Sequence, residues 1–117
     1  MVQTDTNEYP HDDVVVLAAT IASGTKSGAV KTYQVKPVGI LVPAGVASST
    51  MTFEMSVDGT TFVPVYSSVD SANYSINIAA SKYVPLNVPN FSGVNELKIV
   101  CSDAETAKAY QIVCRSI

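Results

Sequence analysis

Few side chains in this sequence are of a kind that does chemistry, and their spacing decides what they can do. The one histidine, His11, sits beside Asp12 and Asp13 in the polar run MVQTDTNEYPHDD. An acid–base or metal-binding trio there would have nothing rigid to hold it. Ser/His/Asp or Cys/His nucleophilic catalysis needs that same histidine, so neither has a foundation. Paired carboxylates can cleave glycosidic bonds without a histidine. The acidic residues beyond the first twelve are Asp13, Glu54, Asp58, Asp70, Glu96, Asp103 and Glu105. Most fall in turn-like stretches, and Glu54 falls on the polar face of a strand, so solvated surface carboxylates are the expectation. The chain has no tryptophan to furnish the aromatic platform of a sugar cleft. The stretch SGTKSG, Ser23 to Gly28, carries glycines and a lysine but lacks the spacing and the following helix of a phosphate-binding loop. The sequence therefore offers no catalytic, cofactor-binding or metal-binding residues.

Two cysteines, Cys101 and Cys114, raise the question of a disulfide. If the last two apolar runs form a hairpin around SDAETAKA, Cys101 lies opposite Tyr110 and Cys114 opposite Leu97. The sulfurs are then too far apart to bridge, and free buried thiols are expected. Two sulfurs without histidines cannot make a zinc site. The sequons at Asn73 and Asn90 matter only in a secreted chain. Tyr66, Tyr74 and Tyr83 have two readings, a face that stacks on sugar rings or ordinary core and interface packing.

These residues must be positioned by a small scaffold. The chain has 117 residues, of which 47% are hydrophobic and only 15% charged. Ordinary domains carry roughly 25% charged residues, so here Ser, Thr and Asn must keep the surface polar, and association with other chains is favoured. The net charge of −3, with seven basic residues spread thinly, provides no stripe for a phosphate backbone, and no nucleic-acid partner is expected. No run of about 18 apolar residues is present, so no membrane partner is expected either. The acidic start has neither the basic nor the apolar region of a secretory signal, which implies folding in a cytoplasm.

From Asp13 onward the pattern is β almost throughout. DVVVLAATI reads as a strand ending at the ASGTKSG loop, and YQVKPVGILV as a strand that bulges or lies at an edge at Pro37. TMTFEMSV alternates, with Met51, Phe53, Met55 and Val57 on one side and Thr52, Glu54 and Ser56 on the other. TFVPVY, YSINI, YVPLNV, ELKIVC and AYQIVCRSI complete about eight short strands, and only SDAETAKAY has room for a helical turn. The expectation is an antiparallel β-sandwich of jelly-roll or immunoglobulin-like type spanning residues 13–117, preceded by a flexible polar arm over residues 1–12.

The most structured corner is SVDGTTF, Ser56 to Phe62. Asp58-Gly59 between alternating runs predicts a tight structural turn, because glycine accepts positive φ and aspartate bonds nearby backbone. The stretch resembles the Asp-box hairpin S-x-D-x-G-x-T-W, one residue short between Asp58 and Gly59 and with Phe62 at the tryptophan position. That resemblance implies polar residues tying the turn and an aromatic plugging the core, with no catalytic role.

A broader resemblance runs through the chain. VGILVPAG (Val38 to Gly45), TMTFEMSVDGTTFVPVY (Thr50 to Tyr66), AASKYVPLNVPNFSGVNELKIVCS (Ala79 to Ser102) and the closing AYQIVCRSI occur in an order similar to that of small β-sandwich virion proteins of tailed bacteriophages. The departures are Cys101, where small polar residues are familiar, and the first thirty residues. The resemblance implies a capsid decoration, or cement, protein made in the host cytoplasm and carried on the virion's capsid surface. Its partners would be the major capsid protein and its own copies, a trimer being favoured. A tail or neck structural component and a carbohydrate-binding or receptor-adhesion module are the alternatives.

Overall fold

The computed structural model describes residues 13–91 and 95–116, so the arm expected over residues 1–12, His11 included, lies outside the described residues. The described chain is almost all β. It runs β1 (Val14–Lys26), β2 (Val30–Lys31), β3 (Val35–Leu41), β4 (Thr50–Ser56), β5 (Val63–Pro64), β6 (Tyr66–Ser67), β7 (Ala72–Asn73), β8 (Ser75–Asn77), β9 (Tyr83–Pro85) and β10 (Glu96–Ser116). A 3-10 turn at Val88–Phe91 is the helical element among the described residues. SDAETAKAY, which had room for a helical turn, is strand instead.

β10 organises everything else. Its residues 96–101 pair antiparallel with β4, its residues 111–116 with β3, and β1 runs antiparallel along most of its length. β5 and β8 extend β4, β9 extends β3, and β6 and β7 form a small separate ribbon. Two expectations are corrected here. ELKIVC and AYQIVCRSI are one 21-residue strand, with no hairpin around SDAETAKA. The strand that begins at DVVVLAATI does not stop at the Ser/Gly stretch but continues to Lys26. Each long strand has the other as its ladder partner, and paired backbone outweighs the weak strand propensity of Ser, Gly and Ala.

A straight 21-residue strand would measure about 66 Å at roughly 3.3 Å per residue, and the longest axis of the molecule is 49 Å. β10 must therefore bend, and its burial pattern shows where. Leu97, Ile99, Cys101 and Glu105 point inward at odd positions, then Tyr110, Ile112 and Cys114 at even ones. The change of face falls where Ala22 and Ser23 of β1 run beside Thr106 and Ala107 of β10, all four exposed. Ala107 has φ of 52° and Gly24 of 103°, backbone conformations that break the pleat on both strands. The sheet thereby curls into a half-barrel, the β-sandwich arrangement in which one sheet supplies both walls.

Between the walls lie Ala19, Ile21, Ile40, Met51, Phe53, Leu97, Ile99 and Ile112, all essentially inaccessible to solvent. Phe53, Tyr74 and Phe91 form a triangle, with Phe53 edge-on to Phe91 at 5.1 Å between ring centroids. Pro37 sits at a bulge, as its sequence context requires: Cys114 faces Pro37 and Val113 faces Gly39, leaving Val38 as the extra residue. Cys101 and Cys114 are buried free thiols, but their ladder partners differ from those expected, since Cys101 pairs with Met51 and Cys114 with both Val15 and Pro37.

Candidate functional site

The alternation of β4 ends one residue earlier than its sequence implies. Ser56 is buried and Val57 is 63% exposed, the reverse of the expected facing. The inward Ser56 hydroxyl is the hub of the corner. It donates to Asp58 Oδ1 at 2.9 Å and accepts from the Gly59 N–H at 2.8 Å. Asp58 Oδ1 also accepts from the N–H groups of Thr60 (2.8 Å) and Thr61 (2.9 Å). The Asn95 side chain, just before β10, closes the corner by donating to the Val57 carbonyl at 2.7 Å. Gly59 adopts φ of 80°, and a β-carbon there would lie 2.6 Å from Glu96 Oε2. Hydrogen bonds from Thr61, then Thr60 and the Ser56 hydroxyl, lower the Asp58 pKa from 3.8 to about 2. With its Oδ1 accepting three hydrogen bonds and its pKa so low, Asp58 is a poor proton acceptor at neutral pH.

Phe62 does not plug the core. It is half-buried on the outer side, with the Lys98 ammonium 4.4 Å from its ring centroid. The core beneath β4 is filled by Phe53, Tyr74 and Phe91 instead. Tyr74 is thus a packing residue whose hydroxyl accepts from the Asn87 N–H at 2.9 Å. Tyr66 and Tyr83 are exposed on separate strands, and the Tyr83 phenol lies across Gly39, where any β-carbon would overlap it.

One carboxylate departs from the expected solvated state. Glu105 is only 3% exposed. Its Oε2 accepts from the Ser48 hydroxyl at 2.6 Å, the Ser48 N–H at 2.8 Å and the Ala47 N–H at 3.0 Å. Burial alone would raise its pKa, but the Ser48 hydroxyl, the two N–H groups and the Lys108 charge outweigh it, and the net shift is downward. Glu105 therefore ties the connection between β3 and β4 to the bend of β10. Nothing in the sequence marks Ser48 as its partner, because the two lie 57 positions apart.

The remaining carboxylates are dispersed. Glu54 pairs with Lys26 at 2.8 Å. Asp70 accepts from the Ser67 hydroxyl at 3.1 Å in the turn between β6 and β7. Among the described residues no three His, Cys, Asp or Glu side chains converge as metal ligands would. The Tyr110 hydroxyl is wholly buried without a well-formed hydrogen bond; burial, then the neighbouring Cys101, raises its pKa. Burial likewise raises the Cys101 thiol and pushes Cys114 up to about 11, so both remain protonated and unreactive at neutral pH.

Comparison with known proteins adds one likeness. No family model matches the chain. No curated protein matches it either. Among solved structures, the crystal structure of the SPBc2 prophage-derived protein YomS superposes with a TM-score of 0.61, covering 99% of both chains at 9% identity. At that identity the likeness is one of fold, and it extends over the whole length of both chains.

Proposed function

We propose that this protein is a structural component of a tailed-phage particle, and specifically a capsid decoration protein that binds the outside of the major capsid shell. The observation that carries the reading is the end-to-end fold likeness to a prophage-derived protein, independent of the ordered virion-protein motifs between Val38 and Ile117. The chemistry of the described residues is in keeping with it. Asp58, Glu105, Cys101, Cys114 and Tyr110 are each committed to a turn, a tie or the core, which favours a scaffold over an enzyme.

Its action would be mechanical. A copy seated across adjacent capsomers adds buried interface, and many copies on one shell multiply a modest affinity for each contact. Cosedimentation of the purified protein with capsids lacking it, followed by electron microscopy, tests the reading. Regular density at interfaces between capsomers is the expected outcome. Failure to bind heads, with binding to tails or to host glycans, would move the protein to the tail-structural or adhesion class.

A further inference from the structure

Each described edge of the main sheet is blunted except one. β5 is two residues long and contains Pro64, β9 is three residues long and contains Pro85, and β8 is three residues long. Short edges and prolines discourage pairing with other chains. β1 is 13 residues long, and among the described residues β10 is its ladder partner on one side while no strand pairs on the other. Its residues 14–21, VVVLAATI, contain no charge, no proline and no glycine.

Hydrogen bonding fixes which groups that edge presents. The Asp13 carbonyl accepts from the Ser116 N–H at 3.0 Å, so odd-numbered residues of β1 turn their backbone groups toward β10. Val14, Val16 and Ala18 therefore turn theirs away from β10, toward the open side. At Thr20 that side is already closed, since its carbonyl accepts from the Gly28 N–H at 3.3 Å. The open stretch is thus 14–18, with Val14 (56% exposed) and Val16 (50%) on the outer face and Val15 and Leu17 half-buried against the core.

We propose that this edge is the contact between two copies of the chain, joined antiparallel through β1 about a two-fold axis at Val16. A strand that pairs there must itself have a free edge of about five residues without charge, and among the described strands only β1 has one. The axis at Val16 places Val14 opposite Ala18 of the second copy and Val15 opposite Leu17 of the second copy. Open backbone groups meet open backbone groups, and apolar side chains meet on both faces. The contact is isologous and closes as a dimer, so it competes with the trimer implied by the virion-protein resemblance and does not depend on capsid binding.

The test is the solution mass of the full chain by light scattering, with variants at the axis. The wild type is expected at twice the 12.3 kDa chain mass. Val16→Pro removes an N–H that β10 does not use, and it is expected to halve the mass while leaving the β-sheet circular dichroism unchanged. Should that variant lose its sheet signal, Val16→Lys carries the same expectation. Val16→Cys is expected to give a covalent dimer with a short thiol-reactive crosslinker, because a hydrogen-bonded pair sets the two Cα atoms about 5.5 Å apart. A trimer would overturn the proposal, as would a dimer indifferent to both Val16→Pro and Val16→Lys. A monomer would also overturn it. Slow hydrogen exchange at Val14, Val16 and Ala18 in that monomer would identify residues 1–12 of the same chain as the occupant.

Discussion

Asp58 and Glu105 make an instructive pair. Each gathers three or more hydrogen bonds on one carboxylate, and each has its pKa lowered by them. Asp58 takes all of its partners from residues 56–61 and sits in solvent. Glu105 takes its partners from residues 47 and 48, across the fold, and sits inside. The first organises a corner that its own neighbours can form. The second exists only when β10 has already bent and brought position 105 under the connection that follows β3. A local network shapes a turn, whereas a long-range one reports on the assembled fold.

The comparison breaks most visibly at Glu105. Glu105→Ala leaves the buried N–H of Ser48 and the part-buried N–H of Ala47 without an acceptor, an expected loss of about 3 kcal/mol in unfolding free energy measured with denaturant. A loss under about 1 kcal/mol would mean that water replaces the carboxylate and that the tie is weak. Gly59→Ala is next. A residue held at φ of 80° strains any β-carbon, while the Glu96 side chain it would meet can swing away, so the expected loss is about 1 kcal/mol.

Asp58→Asn is the mildest change and is best read against pH. Asp58 has its pKa lowered from 3.8 to about 2, so its contribution is complete above 3.8 and is lost as pH falls through 2. The gap in denaturation midpoint between the wild type and Asp58→Asn should therefore shrink between pH 5 and pH 2. A constant gap would mean that geometry, not charge, holds the corner. Glu105 follows the same sign from its ordinary value of 4.5, so Glu105→Gln should likewise flatten the acid limb of the stability curve.

Much of this was legible along the chain. Period-2 alternation at Met51 and Phe53, the β-branched start of β1 and the proline at the β3 bulge each report a local preference. The Asp-box likeness already puts Ser56 among the polar groups that tie the turn, but its burial was missed because alternation alone sends it outward; its inward turn is set by the hydrogen bonds of the corner. Glu105 was missed because a carboxylate flanked by polar residues reads as solvated wherever its partners are out of sight. Phe62 was misplaced because an aromatic beside a turn is equally able to enter the core or to lie under a lysine.

Composition and alternation by themselves determined that this chain is all-β, antiparallel and poor in catalytic groups, since strand preference and side-chain facing are properties of neighbouring residues. The tertiary structure decided that the last two apolar runs are one strand. The same holds for the bend of that strand at Ala107, the burial of Glu105 and the edge of β1 that no described strand pairs. Each of those depends on which distant backbone occupies the neighbouring ladder position. A ladder partner dozens of residues away changes the free energy of a segment more than the segment's own propensities do.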